Sequence, residues 1–382
     1  PLYSSAASDV YKRQVTIDQK DISRIHESPF KLVIVSSGGG TNAISAMLGV
    51  AGASNTVLES YIPYAKESLD AYLNKQPDHY CSLDTSLSMA ARAFQKAKNI
   101  MPDTNPKYLL GISVTASLVT TYKKLGEHKF YITLQTQSYS KTISCQLEKG
   151  SRSRDEEENL VSAYIFMLIT EACGIEFNKP IHNEIPEINT VKAKNSWTKL
   201  IDNKIDYVAS HNAKPELIFP GSFNPLHQGH LEMRELAEKR TGMRITFEIC
   251  IKNAEKPPLT YHEMKRTLDQ FSDNDSWVMT RHGLFSEKAK LFPNSVFIIG
   301  ADTLVRIMDE KFYSSRKDML DHIERFNDHN INFLVFGRKV KDSFITLDQI
   351  DIPASIKNRF TGIDETGFRQ DISSRSLRLE KI

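Results

Sequence analysis

The sequence predicts two α/β domains in tandem, the second built on a doubly wound parallel sheet. Three observations lead there. From about residue 216 onward, short apolar runs alternate with candidate helices. An earlier region opens near residue 30 with a strand, a glycine turn and a helix. Between the two, residues about 176–214 change character, with Pro180 and Pro186 followed by a polar stretch. A length of 382 residues makes two domains the default. The expected bounds are 25–175 for the first domain, 176–214 for a connector and 215–382 for the second.

Composition narrows the function classes. Hydrophobic residues make up 40% and charged residues 25%, as in an ordinary soluble globular protein. The 49 Lys and Arg nearly balance the 47 Asp and Glu, so no broad nucleic-acid or membrane surface is expected. Apolar runs such as "AYIFMLI" are too short to span a bilayer. Cys81, Cys145, Cys173 and Cys250 lie far apart, with neither zinc spacing nor a disulfide framework. They suit core positions in a reducing compartment, so a cytoplasmic location and no protein-held metal are expected. Residues 1–14 show no apolar period, and "DVYKRQ" back-translates to what looks like the end of a sequencing adapter. They are read as an assembly artefact and excluded from the fold, which leaves any targeting segment upstream open.

In the first domain, "KLVIV" is short, apolar and β-branched, as a buried strand should be. "SSGGGT" makes a turn and "NAISAMLGVAG" a helix. A second helix is expected at "SLSMAARAFQKAKNI", where Ala and Phe recur at helical spacing. "YLLGISVTAS" reads as a strand, and the alternation in "KFYITLQTQSYSKTISCQLEKG" as a pair of strands. "RDEEENLVSAYIFMLITEACG" is a helix with an acidic first turn, as the helix dipole favours, ending at Gly174. A polar helix is expected within the connector at "TVKAKNSWTKLIDNKIDYVAS".

In the second domain, "ELIFP", "MRITFEICI", "SVFIIGA" and "INFLVFG" read as strands. "GHLEMRELAEKR", "TYHEMKRTLDQF", "DTLVRIMDEKF" and "RKDMLDHIERF" read as helices. This alternation implies a Rossmann-like parallel sheet, whose ligands bind at the carboxyl ends of the strands. The turns after "ELIFP" and "FIIG" should therefore face one crevice. In "GSFNPLHQGHL", Gly221 and Pro225 make the turn, and Gly229 lets the next helix start close to a ligand. Free N–H groups and partial positive charge at such a helix start suit phosphate. His227 and His230 can donate to phosphate oxygens there.

The string His227, Gln228, Gly229, His230 resembles the (H/T)xGH signature of the nucleotidylyltransferase superfamily. Within it, "GSFNPLHQGH" is similar to the nicotinamide and nicotinate mononucleotide adenylyltransferases, with Asn224 where other branches carry Asp. "IIGADTL" resembles that family's strand-end Gly-x-Asp, which would bring Gly300 and Asp302 to the nucleotide. "FGR" resembles a late strand near the adenine and ends at Arg338. "ISSRSLR" resembles the family's ISSTxxR, so Ser373, Ser374 and Arg378 would hold the β- and γ-phosphates, with Arg375 replacing the usual Thr. "EKPPLTYHEMKR" resembles the segment near the acceptor phosphate, making Lys256 and Arg266 acceptor candidates alongside Asn224. Gly221, Ser222, Phe223 and Gly229 complete the implied nucleotide set. The family's Trp after Gly-x-Asp is missing, and Phe312 and Tyr313 are the nearest aromatics.

The resemblance implies transfer of AMP from ATP to a phosphorylated acceptor with release of pyrophosphate, and Mg2+ carried on the triphosphate. The alternatives are cytidylyl transfer, another phosphorylated acceptor, or a non-enzymatic nucleotide sensor. The partners expected are small-molecule nucleotides.

The first domain resembles the CinA C-terminal family of nicotinamide mononucleotide deamidases along "VIVSSGGGTNAISAMLGVAGASNTVLESYIPYAKES", "GISVTAS" and "RDEEENLVSAYIFML". Ser36 falls at that family's catalytic serine and Tyr64 at its tyrosine. Leu69 stands where its lysine is expected, Lys66 could replace it only after a register shift, and "ASLVTTYKK" replaces its glycine loop. A serine without a base is a poor nucleophile, so deamidase activity is expected to be lost. The retained fold would then serve ligand binding or homo-oligomer formation.

Overall fold

A computed structural model describes residues 18–122, 124–211, 214–252, 257–340 and 343–379. The chain forms two compact units, Pro1–Lys194 with Glu255–Glu263, and Asn195–Ala254 with Met264–Ile382.

The first unit contains, in order, α1 (Gln19–Glu27), β1 (Lys31–Ser37), α2 (Thr41–Leu48), β2 (Val57–Tyr61), α3 (Lys66–Leu73), α4 (Leu83–Ile100), β3 (Leu109–Ser117), β4 (His128–Gln135), β5 (Tyr139–Leu147), α5 (Arg154–Cys173) and β6 (Glu187–Lys192). Its sheet runs β2-β1-β3-β4-β5-β6. The first three strands are parallel, and β4, β5 and β6 add antiparallel to them. The expected pair of strands is β4 and β5. Ile112, Val114, Phe130, Ile132, Leu134 and Ile143 pack with Val161, Tyr164, Ile165 and Leu168 of α5 in the main core. On the other face α4 lies so close that a Cβ on Gly111 would meet the backbone N of Phe94 at 2.3 Å and the O of Ala90 at 2.5 Å. Small residues on α4 permit this approach. A Ser153–Glu156 capping box starts α5, and Gly174 ends it in the left-handed conformation.

From Asn195 onward the elements are α6 (Asn195–Ile201), β7 (Tyr207–Ala209), β8 (Leu217–Pro220), α7 (Gln228–Thr241), β9 (Ile245–Cys250), α8 (Tyr261–Leu268), β10 (Ser276–Thr280), α9 (Phe285–Leu291), β11 (Val296–Gly300), α10 (Ala301–Ile307), α11 (Arg316–Asp328), β12 (Asn332–Phe336), β13 (Arg338–Val340), β14 (Ser343–Ile345), β15 (Phe360–Ile363) and α12 (Ser374–Leu379). The second sheet runs β15-β12-β11-β8-β9-β10-β7. All its pairings are parallel except that of β7 with β10. Strand order reverses between β8 and β11, which is where such a sheet opens a ligand crevice.

The polar stretch of the connector is not one helix. Glu187–Lys192 pairs with β5, Asn195–Ile201 is a short helix, and Tyr207–Ala209 pairs with β10. Both strands sit at sheet edges, and five of the six residues of β6 are exposed. An edge strand with little apolar burial carries almost no alternation to read.

Candidate nucleotide site

The site is assembled around the turn between β8 and α7. The N–H of Gly221 donates to the Glu248 carbonyl at 2.9 Å, tying the turn to β9. A Cβ on Gly221 would meet the Phe223 ring at 2.5 Å, so only glycine lets that ring fold back beneath the turn. Phe223 has a φ of 43°, in the left-handed region. Its side chain is fully buried against Phe219, Phe247, Phe271 and His230. The ring of Phe223, a residue expected at the nucleotide, is thus packed as a core group. Burying that much aromatic surface outweighs the cost of one unfavourable backbone conformation.

His227 is the N-cap of α7 in extended conformation, and His230 stands one turn on. The two imidazoles stack with centroids 3.7 Å apart and 24° between their planes. The His227 N–H donates to His230 Nδ1 at 3.2 Å. In neutral His230 the proton must then sit on Nε2, leaving that atom as a hydrogen-bond donor. Burial, then the charges of His227 and Arg338, hold the His230 pKa down at about 3. Burial and Arg338 lower that of His227 as well. His227 is buried and its Nδ1 has no partner. A Cβ on Gly229 would lie 3.2 Å from this Nδ1 and 3.0 Å from Ile372, so glycine also makes room for the ring.

The C-terminal segment closes on the same turn. Ser374 Oγ donates to the Pro225 carbonyl at 2.9 Å, and Arg378 Nη1 donates to the Asn224 carbonyl. Arg338, half-buried, donates to the Ile372 carbonyl at 3.3 Å. Ser373, just before α12, has its Oγ 3.1 Å from Ser376 Oγ in that helix. Thus Asn224, His227, Gly229, His230, Arg338, Ser374 and Arg378 converge, although they come from three separate stretches of chain. Ser374 and Arg378, expected on phosphates, hold the turn.

Gly300 ends β11, which runs parallel beside β8 and so delivers its carboxyl end to the same edge. A Cβ there would lie 2.4 Å from Asp302 Oδ1, so glycine lets the carboxylate fold back over the helix start. Ser222, Asp302 and Arg266 are exposed. Lys256 lies outside the described residues. Tyr313 donates to the Ile307 carbonyl at 2.9 Å, whereas Phe312 is half-buried beneath Arg306 and Lys311. Gln270 is the residue that sequence reasoning missed. Its Nε2 donates to the Phe223 carbonyl at 2.8 Å, and its Oε1 accepts the Leu226 N–H at 2.7 Å. Its place after α8, in the polar run "LDQFSDND", carries no signal of this contact.

In the first unit, the Ser36 hydroxyl is engaged within its own turn. Ser36 is 1% exposed and donates to the Gly39 carbonyl at 2.7 Å. At the start of α2, Glu158 Oε1 accepts from Thr41 Oγ1 at 3.0 Å and from the Asn42 N–H at 3.2 Å. A carboxylate of the chain itself thus occupies this helix start. Tyr64 is 68% exposed and Leu69 is buried in a core with Val33, Met89 and Phe94. The four cysteines are free thiols. No helix among the described residues is long and apolar enough to cross a membrane.

Comparison with known proteins gives the following similarities. A "Putative nicotinamide mononucleotide adenylyltransferase" of Schizosaccharomyces pombe is 32% identical over 157 residues, covering 38% of this chain and 61% of that protein. The chain therefore spans less than two thirds of this relative's length. Among solved structures, competence/damage inducible protein CihA of Agrobacterium tumefaciens is 17% identical, with a TM-score of 0.32 over 40% of this chain and 93% of that one. A CinA superfamily protein of Enterobacter cloacae is 14% identical, with a TM-score of 0.32 over 40% and 89%. Residues 218–379 match the Cytidylyltransferase-like family. That match enters within β8 and ends at the last residue of α12, so it takes in the reversal of strand order, the histidine turn and the segment that closes on it. The second part of this chain is accordingly similar to the Cytidylyltransferase-like family over residues 218–379.

Proposed function

We propose that this domain transfers AMP from ATP to nicotinamide or nicotinate mononucleotide and releases pyrophosphate. The observation that carries the reading is the stacked His227–His230 pair beside Arg338, at the reversal point of the sheet. The name of the fission-yeast relative supports the acceptor. An acceptor phosphate oxygen attacks the α-phosphorus in line, and the bond from that phosphorus to the pyrophosphate oxygen breaks. No side-chain nucleophile is required, because positioning and charge stabilisation dominate such transfers. His230 donates from Nε2 to the α-phosphate as charge grows there, and Arg338 adds fixed positive charge beside it. Ser373, Ser374 and Arg378 border the triphosphate. Lys256 and Arg266 stay proposed for the acceptor side.

Magnesium would arrive on the triphosphate. Among the described residues no group of three or more His, Cys, Asp or Glu is placed to hold a metal ion. The side chains gathered at the turn are mainly donors, which fit phosphate oxygens rather than a hard cation. No step is assigned to the ion.

The decisive experiment is a pyrophosphate-release screen of ATP and CTP against a panel of phosphorylated acceptors. ATP with a pyridine mononucleotide should give the fastest release. CTP with another acceptor would replace this reading by cytidylyl transfer, and no release from any pair would leave a nucleotide-binding protein. His230→Ala should lower turnover by about 10²–10³, the scale for losing one preorganised donor. Turnover near wild type would remove His230 from the reaction.

For the first unit we propose a retained fold without deamidase chemistry, used for ligand binding or self-association. The engaged hydroxyl of Ser36 and the Glu158 carboxylate at the helix start support this.

A further inference from the structure

The turn that carries the histidines has consecutive backbone groups held by side chains from elsewhere. Arg378 takes the Asn224 carbonyl and Ser374 takes the Pro225 carbonyl. The Phe223 carbonyl and the Leu226 N–H are both held by one side chain, Gln270. A single planar amide thus spans the turn, donating at one side and accepting at the other. Gln270 is half-buried, and the next residue, Phe271, packs against Phe223 and Phe247. Leu226 precedes His227, whose N–H reaches His230 Nδ1.

We propose that Gln270 is a positioning residue for the histidine pair. By pinning the Leu226 N–H and the Phe223 carbonyl, its amide sets the orientation of the His227 peptide. That peptide in turn fixes the tautomer of His230, with Nδ1 accepting and the proton on Nε2. Among the described residues no other side chain at the turn shares Gln270's pattern: Arg378 offers only donors, and the Ser374 hydroxyl is committed as a donor. The catalytic part of this inference rests on the proposed transfer, whereas the tautomer does not.

The test uses the full chain and two variants. Gln270→Met removes both hydrogen bonds at similar volume. Gln270→Glu keeps an acceptor for Leu226 and places an oxygen against the Phe223 carbonyl. Ring ¹⁵N shifts should show wild-type His230 protonated on Nε2 and mixed tautomers in both variants, with thermal unfolding little changed. The turnover number for the fastest acceptor should fall about 10–100-fold while KM for ATP changes less than threefold. Such a split marks lost orientation at the transition state rather than lost binding. A wild-type tautomer in soluble, folded Gln270→Met overturns the inference, as does a changed tautomer with unchanged turnover. If Gln270→Met does not fold, the same outcomes are read from Gln270→Glu. Should the wild type transfer nothing, the proposed function fails and the tautomer alone decides the role of Gln270.

Discussion

His230 is kept neutral by its surroundings, and that has a thermodynamic consequence for the free domain. Its folded pKa is about 3 against an ordinary value of 6.5, with burial as the main cause. Between those values the unfolded chain binds a proton that the folded one refuses. Stability is therefore fully present above about pH 6.5 and is lost as pH falls toward 3. His227 is shifted in the same direction. Between pH 7 and pH 5, wild type should lose about 1–2 kcal/mol more than His230→Asn, from the proton linkage of one site. Urea titrations at the two pH values measure the difference. Equal losses in both proteins would show that the imidazole is not held neutral. At this scale the paired histidines and Gly229 were legible in the sequence, because their spacing is local. That Phe223 would be core rather than ligand contact was not, since the partners of its ring come from β8, β9 and the residue after Gln270.

Strands and helices of the second unit are joined by one fully buried ion pair. Glu248 of β9 meets Lys288 of α9 at 2.6 Å, with side chains 0% and 5% exposed. Thr280 of β10 donates to the other carboxylate oxygen. Removing one partner from such a pair leaves an uncompensated buried charge, at about 3–5 kcal/mol. Lys288→Met should destabilise the second unit by that amount, and the double variant Lys288→Met with Glu248→Gln should recover most of it. Both tryptophans, Trp197 and Trp277, lie in this unit, so their fluorescence follows its unfolding specifically. A single variant as stable as wild type would show that the pair does not hold β9 and α9 together. At the element scale, long periodic segments such as α5 and α7 were legible. The strand β10, the helix α9 and the edge strands β6 and β7 were not, because short elements take their stability from partners rather than from their own pattern.

The whole molecule joins two α/β units, each with a glycine-containing turn between a strand and a helix, and the two turns are chemically different. In the second unit the turn holds a buried, unpartnered His227 Nδ1 and a His230 whose Nδ1 accepts the His227 backbone N–H. In the first, Ser36 is committed to Gly39 and Glu158 occupies the helix start. A buried hydroxyl whose proton is already given to a backbone carbonyl is a poor candidate for a nucleophile. The expected outcome is no ammonia release from nicotinamide mononucleotide by the full chain, and adenylyl transfer unchanged in Ser36→Ala. An ammonia assay on wild type and Ser36→Ala side by side checks this. Release that depends on Ser36 would make the protein bifunctional.

Two α/β units, the parallel order of the second, and a histidine turn after its first parallel strand were determined by the sequence alone. Strand and helix periods, glycine turns and motif spacing are properties of neighbouring residues, so they survive without any tertiary information. Which groups are free to act was decided only by the fold. Gln270 lies 47 residues from the carbonyl it holds, and Ser374 lies 149 residues from its own. Glu158 reaches Thr41 across 117 residues. Hydrogen bonds at such separations leave no periodic trace in a chain, because burial and packing bring the partners together only after both elements have formed.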